Sequence, residues 1–222
     1  MTEPQIEVLP DAAAVAERAA AYVAERARAA ADDHGRFTFA VSGGRTPWAM
    51  FAHLAEEDMP WGRTAIYQVD ERVAPADDPE RNLAHLLASL PAESGAEIHA
   101  MPVEATDLEA AAADYARSLP ESFDLIHLGL GPDGHTASLV PGDPVLEVLD
   151  RGVAVTGAYQ GRNRMTLTYP TLNAAKQVLW LVTGEDKLDA LRRLRAGDAS
   201  IPGGRVSPAS ALIIADAAAA GR

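Results

Sequence analysis

The chain has no cysteine. That absence excludes disulfides, thiolate zinc sites and a cysteine nucleophile together, and a cytoplasmic home is the simplest fit. Long apolar runs are missing as well. No stretch approaches the roughly 20 apolar residues that a membrane span needs, so no membrane association is expected. The opening MTEPQIEVLPD has no basic region followed by an apolar core, as a secretory signal would require. Lysine is scarce, with only Lys176 and Lys187 among 19 basic residues, and net charge is −13. An overall negative field repels nucleic acid, but a small anion responds to a local pocket. Metal-ligand spacings such as HExxH are absent, so neither a metal nor a cofactor is expected.

What remains is a chain of 222 residues, 48% hydrophobic, long enough for one large α/β domain. Residues 11–33 are alanine-rich between Asp11 and Gly35, which predicts a capped helix. Apolar runs at 37–41, 64–69, 98–101, 124–130, 152–158, 164–168, 178–183 and 212–216 read as strands. Helical patterns at 48–58, 80–90, 108–119 and 185–197 separate several of them. This alternation predicts a mostly parallel sheet covered on both faces, a three-layer α/β sandwich spanning 1–222 as a single domain. Ligands of such sheets bind at the carboxyl ends of strands. Four of those ends carry unusual residues: SGGRTP (42–47), DER (70–72), GPDGH (131–135) and GEDK (184–187).

Ser42, Gly43, Gly44 and Thr46 offer backbone N–H groups and hydroxyls where a helix starts at Pro47, the makings of a phosphate cradle. Asp70-Glu71-Arg72 places a guanidinium at a strand end with acids to hold it. Among six histidines, His127 lies inside an apolar strand and reads as a core residue. His34, His53, His85 and His99 read as surface or packing residues. His135 sits in a glycine loop beside Asp133, where an imidazole can take a proton from water and return it to a leaving group. The Gly129-x-Gly131-x-x-Gly134 pattern is not a dinucleotide site, because Pro141-Gly142-Asp143-Pro144 breaks the helix that such a site needs. No G-x-S-x-G elbow supports a serine nucleophile at Ser42 or Ser138.

Assembled, the blocks VSGGRTP (41–47), DERVAPADDPERN (70–82), LGLGPDGHTASLVPG (128–142), RMTLTYPTLNAA (164–175) and LVTGEDKLDAL (181–191) resemble the 6-phosphogluconolactonase family. That family shares the fold of glucosamine-6-phosphate deaminase and ribose-5-phosphate isomerase. The resemblance implies hydrolysis of 6-phospho-D-glucono-1,5-lactone by a cytoplasmic enzyme of the pentose phosphate pathway, with a sugar-phosphate lactone as its partner. A monomer is the expected working form. It places the general base at His135, with Asp133 orienting the ring or shaping the turn. Backbone N–H groups of the glycine loop, including Gly131 and Gly134, are the expected oxyanion donors. Ser42, Gly43, Gly44, Thr46, Asp70 and Arg72 would line the substrate site, with Arg162, Arg164 and Lys187 as further cations. The chain departs from the family pattern at Arg81, where serine is usual, at Val140, where an aromatic is usual, and at 160–164, where QGRNR replaces a proline-rich stretch. The alternative, a deaminase or sugar-phosphate isomerase, needs a second acid after the loop, yet no carboxylate follows His135 until Asp143.

Overall fold

The fold is described from a computed structural model, covering residues 4–91 and 94–222. Met1–Glu3, the first residues of the stretch read for a leader, lie outside the described residues. In chain order the elements are β1 (Gln5–Leu9), α1 (Ala12–His34), β2 (Phe37–Val41), α2 (Arg45–Leu54), β3 (Thr64–Gln68), β4 (Asp70–Arg72), α3 (Asn82–Ser89) and β5 (Glu97–His99). There follow α4 (Leu108–Ser118), β6 (Leu125–Gly129), β7 (Val153–Val155), β8 (Arg164–Leu167), α5 (Tyr169–Asn173), β9 (Val178–Val182), α6 (Leu188–Arg195) and β10 (Ala211–Asp216).

Local chemistry sets the limits of these elements. The Asp11 carboxylate accepts from Ala14 N at 2.9 Å and starts α1, and Gly35, at φ 86°, ends it in the left-handed conformation that glycine tolerates. β2 shows the period-two alternation of a strand buried on both faces. Phe37, Phe39 and Val41 face one side, where they meet Val15, Ala19 and Val23 of α1 and Met50 and Phe51 of α2. Ala40 faces the other, with Ile126 of β6, Trp180 of β9, Tyr115 of α4 and Leu191 of α6. Two cores on opposite faces of one sheet make three layers, as expected.

Among the described residues, seven strands form a wholly parallel sheet in the order β1-β10-β9-β6-β2-β3-β5. β1 is not foreseen in the sequence. It pairs residue for residue with β10, from Gln5↔Leu212 to Leu9↔Asp216, so its partner lies at the opposite end of the chain. The strand order positions the site. From β2 the chain proceeds to β3 on one side, and from β6 it proceeds to β9 on the other. The carboxyl ends of β2 and β6 therefore diverge around a crevice at the topological switch point.

A second sheet, antiparallel, joins β4, β8 and β7. The apolar patterns at 152–158 and 164–168 predict β7 and β8 without revealing that they leave the main sheet, and β4, read as the charged end of the strand at 64–69, is a strand of its own. The ladder carries Asp70 opposite Thr166, Glu71 opposite Met165 and Arg72 opposite Arg164, and it forms one wall of the crevice. Helix α2 begins at Arg45, earlier than the 48–58 pattern suggests, because Gly44 at φ 137° turns the chain into it directly.

Candidate active site

All four strand-end blocks converge. A cleft of about 210 Å³ is lined by Ser42 and Gly43 after β2, Asp70 and Arg72 of β4, and Asn82 at the start of α3. Its remaining walls are Gly129 at the end of β6, Leu130, Gly131, His135 and Ala137 after it, Arg164 of β8, and Lys187 beyond β9. A larger hollow of about 540 Å³ lies toward the amino-terminal ends of β1 and β10, and Arg195 is its one titratable lining residue. The smaller cleft is where the chemistry gathers.

His135 is held by its neighbours in sequence. Its Nδ1 lies 2.6 Å from Asp133 Oδ1, and its backbone N–H donates to the same oxygen at 3.1 Å. Burial pushes the Asp133 carboxyl up, but the hydrogen bonds from the His135 amide and ring outweigh it and leave the group below the usual carboxylate range. A carboxylate accepting from Nδ1–H fixes the tautomer that leaves Nε2 as an acceptor. On another side the ring meets Tyr159 edge to face at 5.6 Å between centroids.

The glycines of this loop serve space more than donation. A Cβ on Gly131 would stand 2.1 Å from His135 Nδ1, and one on Gly134, whose φ is 81°, would meet Ile201 at 2.5 Å. Their N–H groups are occupied within the loop: Gly131 N donates to His135 O at 2.8 Å and Gly134 N to Gly131 O at 3.0 Å. The oxyanion donors expected from these two glycines are already engaged, as is the His135 amide, which donates to Asp133.

Three cations share the cleft. Arg72 Nη1 donates to Glu80 O at 2.6 Å and to Asn82 Oδ1 at 2.5 Å. Arg164 is 7% exposed and lies over the Tyr159 ring at 5.1 Å. It donates to Gln160 Oε1 at 3.2 Å and to Ser138 Oγ at 3.5 Å, and its Nε has no hydrogen-bond partner among the described residues. Burial pulls its pKa down, opposed by Asp70, whose Oδ2 is 3.9 Å away and accepts Ser138 Oγ at 2.6 Å. Lys187 Nζ is 2.9 Å from Asp186. Its turn is fixed where Gly184 N donates to the Asp216 carboxylate at 3.0 Å.

Ser42 is buried, its Oγ has no partner among the described residues, and its N–H points at His127 Nδ1, 3.4 Å away. His127 is a core residue, as read from its strand, and burial depresses its pKa to about 3. Gly43 lacks a Cβ because Asn82 Oδ1 would lie 1.9 Å from one.

Not every candidate lines the cleft. Gly44 caps α2, and Thr46 Oγ1 is 2.8 Å from Thr183 Oγ1. Asp133 and Gly134 stand behind His135. Arg162 Nη1 is 2.5 Å from Asp78 Oδ2, with Glu80 at 3.5 Å, so its charge is directed at the 78–80 loop. Asn82, Leu130 and Ala137 line the cleft without having been singled out. Asn82 closes the DERVAPADDPERN block, where a polar residue before an apolar run reads as a helix start. Ala137, at φ 50°, carries no sequence signal.

A parallel sheet with a cationic cleft and a held imidazole at its switch point defines an α/β protein built to act on a small anion. Its closeness to known proteins is specific. The family described as glucosamine-6-phosphate isomerases/6-phosphogluconolactonase matches residues 10–215, and the chain belongs to it. A 6-phosphogluconolactonase of Synechocystis sp. is 38% identical over 88% of this chain and 87% of its own length, and one of Nostoc sp. is 35% identical over 96% of each. The crystal structure of 6-phosphogluconolactonase from Thermotoga maritima superposes with a TM-score of 0.86 at 26% identity, covering 96% of this chain and 99% of that one. A monomeric glucosamine-6-phosphate deaminase reaches the same TM-score at 17% identity, covering 98% and 99%, a likeness of fold alone.

Proposed function

We propose that this protein hydrolyses 6-phospho-D-glucono-1,5-lactone to 6-phospho-D-gluconate, the lactone-opening step of the oxidative pentose phosphate pathway. The observation that carries the reading is His135, its Nδ1 on Asp133, turned toward a cleft that also holds Arg72, Arg164 and Lys187. The relatives named 6-phosphogluconolactonase, matched over nearly their whole length, support it.

Nε2 of His135 accepts a proton from water as the water oxygen bonds to C1, and the carbonyl electrons move onto its oxygen. When that tetrahedral intermediate collapses, the C1 to ring-oxygen bond breaks, and the imidazolium returns its proton to the departing oxygen. Asp133 keeps the ring in the productive tautomer and stabilises the transient positive charge. Arg164 and Arg72, with Lys187, supply the positive potential for the phosphate. The Ser42 hydroxyl and the N-terminus of α2 add donors for the phosphate.

The chain is proposed to act as one domain and as a monomer, a reading supported by a cleft lined wholly from within one chain. The absence of cysteine supports a cytoplasmic setting. Freshly generated 6-phosphogluconolactone should open faster with the protein than spontaneously, with sedimentation giving a monomer's mass. Ammonia release from glucosamine 6-phosphate without lactone hydrolysis would replace this reading with the deaminase one.

A further inference from the structure

Asn82 stands at a junction that the proposed reaction does not itself call for. Every polar group it owns on this side is engaged with a different part of the cleft. Its Nδ2 donates to Asp70 O at 3.0 Å, and its Oδ1 accepts from Arg72 Nη1 at 2.5 Å. Its backbone N–H donates at 2.8 Å to Oε1 of Glu71, a fully buried carboxylate. The side chain lies so close to the loop after β2 that residue 43 has no room for a Cβ. Asn82 thus touches two strand ends that are far apart in sequence and fixes their separation.

The support beneath it is equally rigid. Glu71 also accepts from Leu83 N at 2.8 Å and from Gln68 Nε2 at 2.9 Å, and the buried Arg81 lies 3.1 Å from its Oε2. Arg81 in turn donates to Ala74 O at 2.9 Å. The acid of the DER triplet that faces away from the cleft therefore anchors the start of α3 and not the Arg72 guanidinium.

The chemistry of the acceptors on Arg72 is the informative part. Both are neutral, a backbone carbonyl and an amide oxygen. Among the described residues no carboxylate lies within ion-pair distance of this guanidinium, unlike Arg162, which is spent on Asp78 and Glu80. A carboxylate would orient Arg72 equally well but would cancel the charge an anion needs. An amide orients it and leaves the charge available.

We propose that Asn82 is a positioning residue for anion binding: its uncharged amide holds Arg72 toward the cleft without neutralising it. The proposal deepens the lactonase reading and rests on it for the identity of the anion, a phosphate monoester. It makes a counterintuitive demand. Asn82→Asp is nearly the shape of the native residue, yet it should harm anion binding more than Asn82→Ala, which removes the whole amide. Because aspartate also forfeits the donor to Asp70 O, a purely structural role is told apart by affinity losses that follow the losses in melting temperature in both variants.

The test titrates inorganic phosphate and 6-phosphogluconate into the wild type and both variants by calorimetry, with thermal melting as a check on folding. The expected result is a loss of about tenfold or more in affinity for Asn82→Asp and a smaller loss for Asn82→Ala. In turnover the change should fall on KM, with kcat altered little. A second comparison does not depend on the charged variant. In an Arg72→Ala background, Asn82→Ala should cost clearly less affinity than in the wild type, because its main effect runs through Arg72. Phosphate binding by Asn82→Asp that equals the wild type or exceeds Asn82→Ala overturns the proposal, as does a fully additive loss in the double variant. Should the wild type bind phosphate and not 6-phosphogluconate, the lactonase reading fails while the phosphate series still decides the role of Asn82.

Discussion

Arg72 and Arg164 are register partners, directly opposite each other in the antiparallel ladder of β4 and β8. Like charges so placed destabilise a sheet, and Arg72 adds to the burial that weakens Arg164's hold on its proton. The pair is costly to the fold and useful to an anion that bridges it. Arg164 is buried, with Nε unsatisfied among the described residues, and is the stronger candidate for direct contact.

Arg164→Met should therefore raise KM for 6-phosphogluconolactone by about tenfold to a hundredfold, since one charge-assisted contact is worth roughly 1.5–3 kcal/mol. Thermal stability should change little, because relief of the like charge at Arg72 is offset by loss of the cation beside the buried Asp70 carboxylate. Arg162→Ala, by contrast, should leave KM within about twofold, as its partly buried pairing with Asp78 and Glu80 directs its charge away from the cleft. Steady-state kinetics on both variants checks the contrast, and a large KM effect at Arg162 with none at Arg164 would reverse the assignment.

The dyad gives a second prediction. Replacing His135 with alanine should lower kcat about 10²- to 10⁴-fold, the range for losing a positioned general base, with 6-phosphogluconate binding nearly retained. Asp133→Asn should fall short of that loss, because the imidazole remains but its tautomer is no longer enforced. Because the lactone opens spontaneously, rates must be read above that background. A His135→Ala rate equal to wild type would remove His135 from the mechanism.

Gly131→Ala tests the spatial role of the loop. The new Cβ would lie 2.1 Å from His135 Nδ1 and 2.7 Å from Asp133 Oδ1, so the ring must swing away from its carboxylate. Residue 131 is not held at a positive φ, so the backbone accepts alanine and the damage is confined to the dyad. The expected outcome is loss of most of kcat, with a melting temperature close to wild type. Normal kcat in a folded Gly131→Ala protein would mean that ring placement is not what this glycine protects.

These residues show why part of the site was legible in the sequence. Glycines and charges at the end of apolar strands have few reasons to be there, so SGGRTP, DER, GPDGH and GEDK declared themselves, and all four meet in the cleft. Parallel alternation was legible because strand and helix periods differ along the chain. The opposition of Arg72 and Arg164 was not, since antiparallel register between segments so far apart in the chain leaves no local pattern. Strand β1 was missed for the same reason: QIEVL gains its place only from β10. Arg162 and Arg164 looked alike in sequence, two residues apart, yet strand pairing carries Arg164 into the cleft and the hairpin turn gives Arg162 to Asp78.

His127 carries a prediction about stability and pH. It is fully buried under Ser42, and burial alone depresses its pKa from the usual 6.5 to about 3. Between those values the unfolded chain binds a proton that the native imidazole refuses. Acidification therefore favours unfolding, at about 1.4 kcal/mol for each pH unit below 6.5, and above 6.5 the residue has no pH-dependent effect. An asparagine in its place would keep an acceptor for the Ser42 amide and remove the titration. Denaturant unfolding of wild type and His127→Asn at pH 7.5 and at pH 5 measures the difference. The gap between the two proteins should move in favour of the variant as pH falls, by about 2 kcal/mol over that interval. A gap unchanged with pH would mean that His127 is protonated equally in both states, and the burial account of it would be wrong.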